Sequence, residues 1–178
     1  MSAKHSKTIS GRPRKRAERH TMFFSKLQQT IIADLGRKNR KYKFFYGKTE
    51  DNNVVIVVDG YTAYRIPERD FALSFDFLEK ELNQKPLNRP DALFEMNGDY
   101  VRVQLKNYIS DSRYGQLAIY ANENDSVKVT LNEKLYTEFM KEFKDYDLVF
   151  YAKDDKSPVF IEMLHRKMTC VLPVRLNK

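Results

Sequence analysis

The side chains that could do chemistry are few and poorly placed for it. His5, His20 and His165 are scattered, with no spacing suited to metal ligation. Cys170 lies in an apolar run with no histidine in its local pattern, which reads as a buried, unreactive thiol rather than a nucleophile. Asp154-Asp155 and Glu123-Asn124-Asp125 have the composition of solvated turns, whereas carboxylates that share acid–base work need separately tuned environments. The glycines stand alone, so there is no loop to cradle a phosphate. No catalytic residue, metal or cofactor is expected.

The chemistry that is abundant is cationic. The formal net charge is +8, and residues 1 to 20 hold Lys4, Lys7, Arg12, Arg14, Lys15, Arg16 and Arg19 against Glu18 alone. This stretch has little apolar content and is broken by Gly11 and Pro13, so it reads as a flexible basic arm. Gly11-Arg12-Pro13-Arg14-Lys15-Arg16 resembles part of an AT-hook, although Ser10 stands where the hook has an arginine. A minor-groove reader and a tail that meets any polyanion through counterion release both fit these residues. A second cluster, Arg37, Lys38, Arg40, Lys41 and Lys43, follows the first apolar stripe, where it would complement a helix C-terminus or face phosphates.

The elements that must position these groups follow from periodicity. Phe23, Leu27, Ile31 and Leu35 recur every four residues up to Gly36, predicting a helix over Met22 to Leu35 with Thr21 as its N-cap. Strands are predicted at Tyr42 to Tyr46, Val54 to Val58 and Tyr61 to Ile66, the last two joined by the tight turn Asp59-Gly60. The order returns later. Leu135, Phe139 and Phe143 mark a helix over Glu133 to Phe143, followed by strands at Leu148 to Ala152, Val159 to Glu162 and Met168 to Val174. Between them lie a short helix near Asp76 to Leu82 and strands near Tyr100 to Leu105, Gln116 to Ala121 and Val127 to Thr130. The late Pro173 restricts the final strand to a sheet edge or to the last pair of a ladder.

The C-terminal Ser157-Pro158-Val159 and Leu172-Pro173-Val174-Arg175-Leu176, with the turn Val58-Asp59-Gly60-Tyr61-Thr62-Ala63, resemble the bacterial DNA sliding clamp, the β subunit of the replicative polymerase. The resemblance implies an α+β fold: a single clamp-like domain over 21–178 with two pseudo-twofold related helix plus three-strand repeats (21–72 and 126–177), a connecting segment 73–125, and the arm 1–20 ahead of it. The first repeat lacks the family's opening strand, and the chain has room for one such domain where a bacterial clamp protomer has three.

By the same resemblance the helices face DNA and contact phosphates through Lys26, Arg37, Lys38, Arg40, Lys134 and Lys141, to which the charge pattern adds Lys41 and, in the arm, Arg12, Arg14, Lys15 and Arg16. A partner-peptide pocket is implied at Gly60, Tyr61, Thr62 and Ala63 together with Leu172, Pro173, Val174 and Arg175; lying in opposite halves, these pieces are expected to need two copies of the chain. The expected function is a non-catalytic replication or processivity factor that binds DNA and self-associates through exposed sheet edges, Met168 to Val174 among them. A regulator that engages replication proteins without encircling DNA is the alternative. The single cysteine and the lack of a long apolar run lead to the expectation of a cytoplasmic protein with no membrane partner.

Overall fold

The computed structural model describes residues 24–143, 146–163 and 166–174. The strands are β1 (Phe44–Lys48), β2 (Val54–Val58), β3 (Thr62–Ile66), β4 (Val101–Asp111), β5 (Gly115–Ala121), β6 (Lys128–Leu131), β7 (Leu148–Ala152), β8 (Val159–Met163) and β9 (Arg166–Val171). They join in one nine-stranded sheet of order β1-β2-β3-β9-β8-β7-β4-β5-β6, every neighbouring pair antiparallel. The helices are α1 (Ser25–Leu35), α2 (Phe75–Leu82) and the single turn α3 (Lys134–Thr137), which tightens into a 3-10 helix over Glu138–Phe143.

This architecture corrects the expected α+β clamp-like repeat: the fold is β-rich. The reason lies in the segment expected to be a mere connection. β4 pairs with β7 through Val101 to Val103 and with β5 from Gln104 onward, so the sheet runs on through β4, β5 and β6. The expected second helix also gives way, since only Lys134–Thr137 is α-helical. Aromatic contacts hold the 3-10 helix that replaces its remainder. Phe139 meets Tyr42 and Tyr64 at 5.9 and 5.7 Å between ring centroids, and Phe143 meets Phe24 at 4.9 Å. Such pairs outweigh the small propensity differences that favour a regular helix.

One face of the sheet carries the main core, to which α1 contributes Leu27 and Ile31 and α2 contributes Leu78. Phe24, ahead of α1, holds a left-handed backbone (φ 58°) with no side-chain cap. Its ring is fully buried against Tyr64 and Phe143, and that burial offsets the strain of the conformation. Thr21, the expected cap, and Phe23 lie outside the described residues. On the opposite face a smaller cluster of Val55, Ala63, Phe94, Phe160 and Cys170 is covered by the 3-10 helix Pro90–Phe94. β2 supplies both clusters, the physical reason its five residues, Val-Val-Ile-Val-Val, are apolar without alternation.

The final strand is not an edge: β9 lies between β3 and β8. Pro173 falls two residues past its end, where the ladder needs no N–H from it. The true edges are β1 and β6, and the chain itself covers part of both. The Phe44 carbonyl accepts from the Gln84 side-chain amide, and the Tyr46 carbonyl accepts from the Leu87 N–H at 2.7 Å. On β6 the Thr130 carbonyl accepts from the Val174 N–H at 2.8 Å. These bonds occupy groups through which an added strand would pair. Gln84→Ala, which frees the Phe44 carbonyl, should lower stability by about 1 kcal/mol, read as a fall in urea midpoint without a change in slope.

Candidate phosphate loop and apolar groove

The cationic loop between α1 and β1 is built around one buried carboxylate. Asp34, in the last turn of α1, is 1% exposed; it accepts the Lys41 and Tyr42 backbone N–H groups at 2.9 and 3.1 Å and sits 3.5 Å from the Arg37 guanidinium. The loop's far end is tied to the β2–β3 turn, where Lys43 N–H donates to the Asp59 carboxylate at 2.7 Å and Asp59 N–H returns a bond to the Lys43 carbonyl. Arg40 donates to the Glu81 carbonyl at 2.7 Å, fixing the loop to α2. The Lys41 ammonium lies 4.8 Å from the centre of the Tyr42 ring and that of Lys43 lies 5.0 Å from the centre of the Phe45 ring. Tyr42 holds the Lys41 ammonium above its ordinary range, so Lys41 stays charged. Lys38 is exposed.

Arg37, Lys38, Arg40 and Lys41 are thus brought together in one loop. Lys26 lies in the first turn of α1, Lys134 opens α3 and Lys141 lies on the 3-10 helix after α3, all exposed. That helix abuts the loop where Tyr42 O–H donates to Glu138 at 3.3 Å. Arg12, Arg14, Lys15 and Arg16 lie outside the described residues. Asp34→Ala leaves two amides without their acceptor and should cost about 2 kcal/mol, measured by urea unfolding.

The second site forms at the seam between β3 and β9. Asp59 and Gly60 make the β2–β3 turn with both residues at positive φ, 53° and 73°, as the sequence predicts. Thr62 pairs with Val171 and Ala63 with Cys170, and beyond the strand ends Leu172 N–H donates to the Tyr61 carbonyl at 2.9 Å. This pairing places Tyr61, 54% exposed, beside Leu172, 38% exposed, as a shared wall between two clefts. One, of about 430 Å³, is closed by Tyr114, Leu135, Lys156, Pro173 and Val174. The other, of about 390 Å³, is lined by Ala63, Phe160 and Cys170 together with Leu93 and Glu95.

Of the residues expected to form a partner-peptide pocket across two chains, Tyr61, Leu172, Pro173 and Val174 line the first cleft within one chain. Gly60, Thr62 and Ala63 line the second cleft, Thr62 with its hydroxyl turned to the Leu135 carbonyl at 3.3 Å. Arg175 lies outside the described residues. Sequence reasoning missed Tyr114, Leu135, Lys156, Leu93 and Glu95 as parts of this surface. The one local hint was an aromatic in the tight turn Ser112-Arg113-Tyr114-Gly115, where a polar residue is the rule.

A polar hub braces the first cleft. Tyr120 and Tyr108 donate to one oxygen of Glu133, at 3.1 and 3.4 Å, and Tyr136 donates to the Tyr120 hydroxyl at 3.2 Å. Burial raises the pKa of both Tyr120 and Tyr136, so these phenols remain protonated donors. The hub fixes α3, and with it Leu135, to the β4–β5 hairpin that carries Tyr114. Asp154 anchors the loop bearing Lys156: its carboxylate accepts the Lys156 and Ser157 N–H groups at 2.8 and 2.6 Å, which hold its pKa below the usual range.

Among the described residues no group of His, Cys, Asp and Glu side chains could hold a metal ion, and no helix is long and apolar enough to cross a membrane. Burial pushes the Cys170 thiol up to about 12. At pH 8 native protein should therefore react with a thiol reagent such as dithiobis(nitrobenzoate) only slowly, with one equivalent released on unfolding in guanidinium; rapid native labelling would contradict this burial.

Compared with family models, with curated proteins and with solved structures, the chain matches none.

Proposed function

We propose that this protein is a non-catalytic DNA-binding adaptor. The Arg37–Lys43 loop contacts phosphates without reading bases, and the Tyr61–Leu172 groove docks a segment of a second protein, one of the replication machinery by the sliding-clamp resemblance. The observation that carries the proposal is the pinned loop: five cations in seven residues, held in place by Asp34, Asp59 and the Glu81 carbonyl. A cationic loop fixed before binding loses less conformational entropy when it meets a phosphate backbone than a free one does. The groove adds the second half of the reading. Among the described residues four of the eight exposed large apolar side chains, Tyr61, Leu93, Tyr114 and Leu172, lie on its two clefts, a grouping found at interaction sites.

Adaptor binding is favoured over a self-assembled ring because β9 is interior and the chain's own groups occupy carbonyls on both true edges. Retention on circular and linearised DNA should accordingly be equal. The decisive measurement is the anisotropy of a labelled duplex over a range of salt. Reversing Arg37, Arg40 and Lys41 to glutamate should weaken binding more than tenfold and reduce the slope of log affinity against log salt by about 2 to 3, the value for three phosphate contacts. An unchanged slope would remove the loop from the interface.

A further inference from the structure

The two clefts differ in the charge they present. Lys156 is the one charged residue lining the first and Glu95 the one lining the second, among the described residues. Both are exposed, and among the described residues neither side chain is engaged in an ion pair or hydrogen bond. The rest of each lining is apolar, aromatic or neutral polar. The groove is thus an apolar depression divided by the Tyr61–Leu172 wall, with a cation in one cleft and an anion in the other.

We propose that its occupant is an extended protein segment of ordered charge, which lays apolar side chains into both clefts and sets an acidic residue against Lys156 and a basic residue against Glu95. This rests on the reading of the groove as a docking site and adds what it selects. A nucleic-acid strand fits poorly, since it lacks alkyl side chains for the clefts and its phosphates would face Glu95. A lipid tail gains nothing from two opposite charges. A peptide supplies all of these groups at short spacing, and opposite charges in the two clefts fix the direction in which it lies. Exposed ion pairs contribute little affinity, each about fivefold at most. Their effect is on orientation and choice of partner, because the reversed segment meets two like charges.

The test is selection of a random-peptide display library on the full chain, carrying forward only peptides that lose binding to Tyr61→Ala and Leu172→Ser. Unaltered binding to the protein reversed at Arg37, Arg40 and Lys41 is also required, which removes acidic peptides held by the basic loop. The surviving peptides should combine apolar residues with one fixed order of acidic and basic residues. On the double variant Lys156→Glu, Glu95→Lys, which keeps its fold because both positions are exposed and make no side-chain bond, the same selection should return the opposite order, and the original peptides should bind about tenfold more weakly. Groove-dependent peptides without charge order, or indifferent to the double reversal, would overturn the inference and leave docking intact. If no peptide depends on Tyr61 and Leu172, the docking reading itself falls, and the inference with it.

Discussion

The seam between β3 and β9 is the interaction on which the remaining structure depends. Three residue pairs, Thr62 with Val171, Ala63 with Cys170 and Tyr64 with Thr169, join strands far apart in the chain and so connect β1–β3 to the other six strands. The seam is short for that task, and it is reinforced from the side. The Thr62 and Tyr64 hydroxyls both donate to the Leu135 carbonyl, at 3.3 and 3.1 Å, binding α3 across the end of the ladder. The Tyr64 ring fills the core between Phe24 and Phe139. Loss of these contacts would part the sheet where the apolar groove is built, so the stability of the fold and the shape of the groove are coupled at one place.

What was legible in the sequence was local. The stripe Leu27, Ile31 and Leu35 marks α1 to within a few residues, Val54 to Val58 marks β2 without change, and Asp59-Gly60 marks the turn, since each signal is complete within a handful of neighbours. Strand order was not legible. Pro173 argues for an edge only if its N–H faces a ladder, and the strand ends before it does. The segment 73–125 has the look of an insertion because β4 is largely exposed beyond Val103 and so lacks clean alternation. The groove was half legible: the Asp-Gly turn and the C-terminal Leu-Pro-Val could be named, but their union in one chain, and the arrival of Tyr114, Leu135 and Lys156 from distant positions, are products of topology.

The two candidate sites share a connection through Asp59. Its carboxylate holds Lys43 at the end of the cationic loop, and its backbone forms the turn that presents Tyr61. The Asp-Gly pair, met first as a tight-turn signal, is also a covalent element common to both surfaces. A ligand that shifts this turn acts on both, with the free-energy coupling set by how far the Lys43–Asp59 bonds transmit the shift.

The position of β9 also bears on how the protein is made. It is the last strand among the described residues, yet it fills the middle of the sheet. Until it emerges from the ribosome, β3 and β8 each present an open edge of apolar strand with a row of unpaired amides, and no strand ladder connects the two halves of the sheet. Closure is therefore delayed until the final strand is free to enter. During that interval the nascent chain exposes to chaperones, and to neighbouring polysomal copies, the strand edges that the finished protein keeps inside.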